Sequence, residues 1–408
     1  MKKYERPENL RSFVVLWIRD AMTASASALT ASSVLSGILL FLGLSEKNVG
    51  VYLAIIPVAN LVLSLLFSSA ASATKHTVGA YSMLCLCCSA LTAAFLLVFR
   101  IPTSSAAFFP VLLCVGAVLS AVAAIRMIFD YQIPCRVMDL KFYSLYISVG
   151  GIVSGIAGIA TSSLFAFCIK KLEFMAVSRS AYVIAALLLA GASAVNLLLK
   201  TLPDTENAKK EDKKEKVGIA ELWADASFRA LIVPNLLRGF AAGAMSMITV
   251  LAVSELGMPE SDGAVITACT QAATFASCAV YGALTPKLKA ERMGILGAVL
   301  FVLIAPSLLF GRISFFVLYT AAYIGYNVVC NALPDMIYQN VSKRIMSPFH
   351  TWRLALTTLG TTLSTALIGV MIKSVSPTVI LVFGAVTYFA TAFIYYLHFT
   401  RKKRREGR

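Results

Sequence analysis

"TLPDTENAKKEDKKEKVG", residues 201–218, is the one long polar stretch in a chain that is otherwise a succession of apolar runs. Its charges alternate in sign, which predicts a solvated, partly helical linker. On either side of it lie six apolar runs of about 20 residues or more, each long enough to cross a hydrocarbon core of about 30 Å as a helix. Spans are expected near 19–43, 49–72, 79–100, 107–130, 142–168 and 180–200. A second set is expected near 229–256, 262–286, 291–310, 313–338, 352–374 and 377–399. The domains read as a six-helix bundle over 1–200, a cytoplasmic linker over 201–218 and a second bundle over 219–408.

Composition agrees with a polytopic, all-α membrane protein. Of the 408 residues 59% are hydrophobic and 14% are charged, with a mean hydropathy of +0.80; soluble domains carry about 25% charged residues. A water-soluble globule is excluded. The net charge of +16 comes from short basic runs between spans, the pattern of membrane orientation; nothing resembles a nucleic-acid surface with interleaved aromatics. Most Lys and Arg fall on one side: the N-terminus, the linker, "PKLKAER" at 286–292 and the tail "RKKRREGR". The positive-inside rule then places both termini in the cytoplasm of a cell-membrane protein. Because no short apolar core with a cleavage site follows "MKKYERPENLRSF", span one is expected to remain in the mature chain.

Several chemistries have no residues to carry them. The nine cysteines lie mostly inside spans, and Cys85, Cys87 and Cys88 have no His or carboxylate near enough in sequence to complete a metal set. Neither metal nor cofactor is expected. The absence of a G-x-x-x-x-G-K-[ST] loop argues against an ATP-driven pump, and the short loops leave no room for an enzyme's site.

The halves resemble each other at a shift of 214 to 215 residues. "SF" at 12–13 falls on "SF" at 227–228, Asp20 on Asn235, "LGLSE" at 42–46 on "LGMPE" at 256–260, and Lys75 on Lys289. Six spans per copy is an even number, so both copies enter from the same side and the repeat is parallel.

On these features the chain resembles the Major Facilitator Superfamily of membrane transporters over essentially its full length. The resemblance rests on the six-plus-six arrangement, the basic linker, the outer turns "LGLSEKNVG" and "LGMPESDG", and "NLLRGFAAG" opening span seven. Between spans two and three, where that family carries Gly-x-x-x-Asp and basic residues, "SSAASATKHTVG" keeps Lys75 without the Asp or the Arg. Span four keeps Arg126 without the glycine-rich stretch of drug antiporters. The resemblance implies a secondary or facilitative carrier of a small solute working by rocking-bundle alternating access, functional as a monomer, with a coupling proton or cation an open choice. A lipid or glycolipid flippase and a non-transporting receptor are the alternatives on the same fold.

It also implies that spans one and seven face the pathway. Span one carries Thr23, Ser25, Ser27, Thr30, Ser32, Ser33 and Ser36, spread over more than one helical face, so packing and pathway lining are both open. Span seven repeats the theme with Gly239, Gly243, Ser246 and Thr249, and span five has Gly151 and Gly155. Charges within spans cost about 2.5–3.5 kcal/mol at mid-helix and need a partner or water. Arg19, Asp20, Arg126, Asp130, Asp335 and Arg353 are candidates for a cytoplasmic gate or charge network, with Arg126 and Asp130 spaced to pair on one face. Substrate-pathway candidates are Asn60, Arg238, Gln271, Tyr323, Asn327 and Thr358. Arg238 is the deepest charge, the first candidate for an anionic substrate group, with Asp335 as its expected counter-charge.

Overall fold

A computed structural model describes residues 10–73, 76–137, 143–199, 219–285, 287–340 and 346–406; the linker 201–218 and Lys75 lie outside them. The first half runs through Leu10–Phe41, Glu46–Ala73, Thr77–Val98, Phe108–Val137, Tyr143–Lys171 and Phe174–Asn196 as spans one to six. The second runs through Ala226–Leu256, Glu260–Leu284, Ala290–Leu308, Gly311–Asn340, Met346–Met371 and Pro377–Glu406 as spans seven to twelve. Ten of these are long and apolar enough to cross a membrane alone, and span seven becomes an eleventh when its two bent pieces are taken together. Span two, 28 helical residues, is the twelfth and at ~1.5 Å per residue reaches about 42 Å.

Span one begins at Leu10, nine residues before the expected boundary at Arg19. The charge pair does not end the helix because its charges are neutralised inside the protein, as described below.

The repeat is visible in the packing. Span one packs on spans five and six, and span three on four and six; span seven packs on eleven and twelve, and span nine on ten and twelve. The order of neighbours is thus the same in both copies. Both copies also interrupt their first helix. Span one breaks at Thr30 and Ala31, where Ala31 leaves the helical region at φ −56°, ψ 150°; span seven bends by 51° around Met247. The pieces beyond the breaks run into Gly43 at φ 85° and Gly257 at φ 57°. A left-handed residue is strained for any side chain with a Cβ, so the Gly shared by "LGLSE" and "LGMPE" has one cause in both places.

The chain separates into two compact units, Met1–Thr30 with Val62–Lys216, and Ala31–Leu61 with Val217–Arg408. The cut runs through the break in span one rather than through the linker alone. Within the second unit, Ser32–Phe41 packs on spans seven and eight. A Cβ on Gly37 would collide with the carbonyl of Glu260, one on Gly263 with the carbonyl of Ser33, and one on Gly50 would lie 2.6 Å from Cα of Gly369. Ser33 and Thr267 share a hydrogen bond of 2.5 Å.

Candidate functional site

In the first unit, span one turns the Arg19 side chain into the bundle, where it is fully buried. Its Nε and Nη2 donate to Asp20 Oδ1 at 2.8 and 2.6 Å, and Nη2 lies 2.7 Å from Asp130 of span four. Nη1 donates to Asn196 Oδ1 of span six at 3.2 Å, and the guanidinium stands 4.7 Å above the Tyr81 ring of span three. Asn196 is itself fixed, donating to the Val78 carbonyl at 3.0 Å and to Ser82 Oγ at 2.9 Å. The other oxygen of Asp20 accepts from Tyr146 of span five at 2.6 Å. Five helices therefore converge on one cation with two carboxylates, the arrangement a charge needs where water is scarce.

One expected pairing is different. Among the described residues no ion pair joins Arg126 to Asp130. Asp130 turns to Arg19, and Arg126 donates to Cys85 Sγ at 3.8 Å. A partner on another helix wins over the neighbour one turn away because it ties two spans together while still cancelling the charge.

The second unit is built differently. Arg238 of span seven donates from Nη2 to Cys330 Sγ at 3.3 Å, and its Nε is buried with no hydrogen-bond partner. Among the described residues no carboxylate lies within 4.0 Å of it. Tyr326, Tyr388 and Tyr395 lie near it. Tyr388 stacks on Tyr326 with ring centroids 5.0 Å apart and donates to the Tyr326 carbonyl at 2.7 Å. Asn235, the counterpart of Asp20, accepts from Tyr395 at 2.9 Å, just as Asp20 accepts from a tyrosine. Of the expected gate residues here, Arg353 sits close enough to Tyr395 to act on it; the side chain of Asp335, expected opposite Arg238, lies outside those described, as does that of Asn60.

Spans eight and ten carry the uncharged candidates Gln271, Tyr323 and Asn327. Asn327 Nδ2 donates to Thr274 Oγ1 at 3.1 Å, and Thr270 shares a bond of 2.7 Å with Tyr319. Tyr323 lies between Tyr319 and Tyr326, at ring distances of 5.7 and 5.5 Å. Thr358 is on span eleven, partly buried, away from this pairing. The aromatic column Phe315, Tyr319, Tyr323 and Tyr326 was not singled out from sequence beyond Tyr323; its spacing of four, four and three residues was the available signal.

The hydroxyls of span one mostly pack. Ser25 accepts from Thr161 of span five at 3.0 Å, Ser33 meets Thr267, and Thr30 and Ser36 bond back to their own helix. In span seven, a Cβ on Gly239 would meet the span-eleven backbone at Thr357 and Gly360, and Ser246 pairs with Thr365 at 3.0 Å. A cleft of 330 Å³ beside them, between spans seven, eleven and twelve, is lined by Phe240, Leu367, Ile368, Met371 and Phe383, with Ser364 its only polar lining residue. It has nothing with which to orient a polar solute.

The sequence matches no family model and no curated protein. The fold does match solved structures. The nucleoside transporter NupG aligns with a TM-score of 0.68 at 15% identity, over 94% of this chain and 98% of that one. A bacterial homolog of the human lysosomal transporter Spinster, inward-facing and unoccupied, aligns at 0.65 and 16% identity over 97% and 98%. The xylose transporter XylE of E. coli, partially occluded and inward open, aligns at 0.68 and 10% identity over 94% and 97%. With the duplicated six-helix packing and matches over nearly whole chains, this protein has the Major Facilitator Superfamily fold.

Proposed function

We propose that the chain is a secondary or facilitative transporter that moves a small solute across the cell membrane by alternating access, as a monomer with both termini cytoplasmic and with no enzymatic step. The observation that carries the reading is the composition of the second unit. Residues 31–61, the outer arm of the first helical hairpin, pack on the C-terminal helices through glycine-to-backbone contacts, while Leu10–Thr30 belong to the other unit. Such an arm is a tightly packed seam within the second unit, which the chain enters from the first through the break in span one. Solute carriers among the structural matches, including one titled a fucose:proton symporter, support transport over the flippase or receptor readings. If a proton is coupled, Asp20 and Asp130 are its candidate carriers.

Uptake of labelled solutes into vesicles holding the purified protein tests this; no movement of any panel member under any ion gradient overturns it. The seam has its own test. Gly37→Val overfills a backbone contact, and overpacking costs about 1–3 kcal/mol. The equilibrium should shift about tenfold toward an outside-open state, equivalent to ~1.4 kcal/mol. It would be read as faster labelling of a Ser33→Cys thiol by an impermeant maleimide.

A further inference from the structure

A guanidinium offers five N–H donors, and Arg238 spends one on a thiol, a weak acceptor. Its Nε is buried and unpartnered. Arg19 shows how the same chain treats an arginine whose role is structural: two carboxylates, an amide and an aromatic face surround it. Arg238 has no such company among the described residues. An intramembrane cation that no described carboxylate neutralises leaves a place for an anion.

The neighbouring helix extends this to the rest of a ligand. Cys330, Asn327 and Tyr323 recur at helical spacing along span ten, so Tyr323 stands about 10 Å along the axis from the level of Cys330. Tyr323 makes ring contacts, and its hydroxyl has no hydrogen bond among the described residues. Asn327 uses its amide N–H on Thr274, and its carbonyl oxygen has no hydrogen bond among the described residues. Gln271, one turn before Thr274 on span eight, has an amide without a partner among the described residues.

We propose that the solute is a small organic anion, a carboxylate or phosphate, whose charged group is held by Arg238 and whose ring-bearing body lies toward Tyr323, with Asn327 and Gln271 hydrogen-bonding it. This rests on the transporter reading and specifies its substrate class. Arg suits both anions because its planar fork matches their paired oxygens.

The test uses the full chain in phosphatidylcholine nanodiscs, with thermal stability read against pairs that share a body and differ in the anion. The pairs are uridine monophosphate and uridine, glucose phosphate and glucose, and benzoate and benzyl alcohol. The expected result is stabilisation by at least one anionic member with at least tenfold weaker binding of its neutral partner. Arg238→Gln should abolish that preference, and Arg238→Lys should keep a weakened one. Phosphate pairs and the benzoate pair distinguish the two anions, and a nanodisc with added phosphatidylglycerol distinguishes a lipid headgroup from a free solute. The proposal is overturned if neutral partners bind as well, if no member stabilises the protein, if anionic lipid alone does so, or if Arg238→Gln melts cooperatively and keeps the preference. Should Arg238→Gln fail to fold, Arg238→Lys decides alone, since an unweakened preference there also overturns it. Vesicle uptake separates the two readings: neutral solute carried by wild type leaves transport standing while removing the anion assignment.

Discussion

Two arginines on the opening helices of two copies of one module have opposite surroundings. Arg19 is locked between Asp20 and Asp130 and capped by Asn196 and Tyr81. Arg238 meets a thiol and tyrosines. The position that is Asp20 in the first copy is Asn235 in the second, and each accepts from a tyrosine hydroxyl, at 2.6 and 2.9 Å. The tyrosines come from non-equivalent spans, five and twelve, and the acceptor is a carboxylate in one copy and a neutral amide in the other. Among the described residues the first bundle neutralises its arginine with carboxylates, and the second sets none within 4.0 Å of Arg238.

The largest effect expected of breaking this contrast is at Arg19. Arg19→Gln leaves Asp20 and the 43%-exposed Asp130 without their cation and should destabilise by about 3 kcal/mol, the low end for a buried pair, whereas Arg238→Gln should leave the melting temperature near wild type. Thermal unfolding of the two variants side by side checks it, and equal losses would mean that both arginines are structural. Next comes Asn235→Asp, which rebuilds the first copy's carboxylate one turn from Arg238. Anion affinity should fall about tenfold, ~1.4 kcal/mol, in a titration of the stabilising ligand. The smallest effect is the difference between the tyrosines: Tyr146→Phe removes a bond to a charge, about 1.5–3 kcal/mol, and Tyr395→Phe a neutral bond, about 1 kcal/mol. Unfolding free energies in the opposite order would contradict the assigned roles.

The helices and their duplication were legible because apolar length and a shared offset are local properties of the chain. The glycines of "LGLSE" and "LGMPE" were readable as a repeat, and the structure supplies their cause, a left-handed turn in each. Pairing was harder. Spacing suggested Arg126 with Asp130, but the partner of Asp130 is 111 positions away in the chain, brought near only by packing span four on its bundle. The start of span one was misplaced for the same reason, since a charge pair looks like a boundary until its neutralising neighbours are known. Arg238 was identifiable as unusual by depth, while its sulfur and tyrosine surroundings depend on spans ten and twelve meeting span seven.

The contacts of Gly37, Gly50 and Gly263 join backbone to backbone, with Ser33 and Thr267 between them and the solvent-exposed Glu46–Lys373 pair, 3.9 Å apart, at the margin. Exposed ion pairs of that kind contribute little. Beside Gly263, however, the buried Asp262 pairs with Arg312 at 2.6 Å; a charge pair sunk on its acidic side is screened less by salt than one in open water, so brine should loosen these packed glycines little.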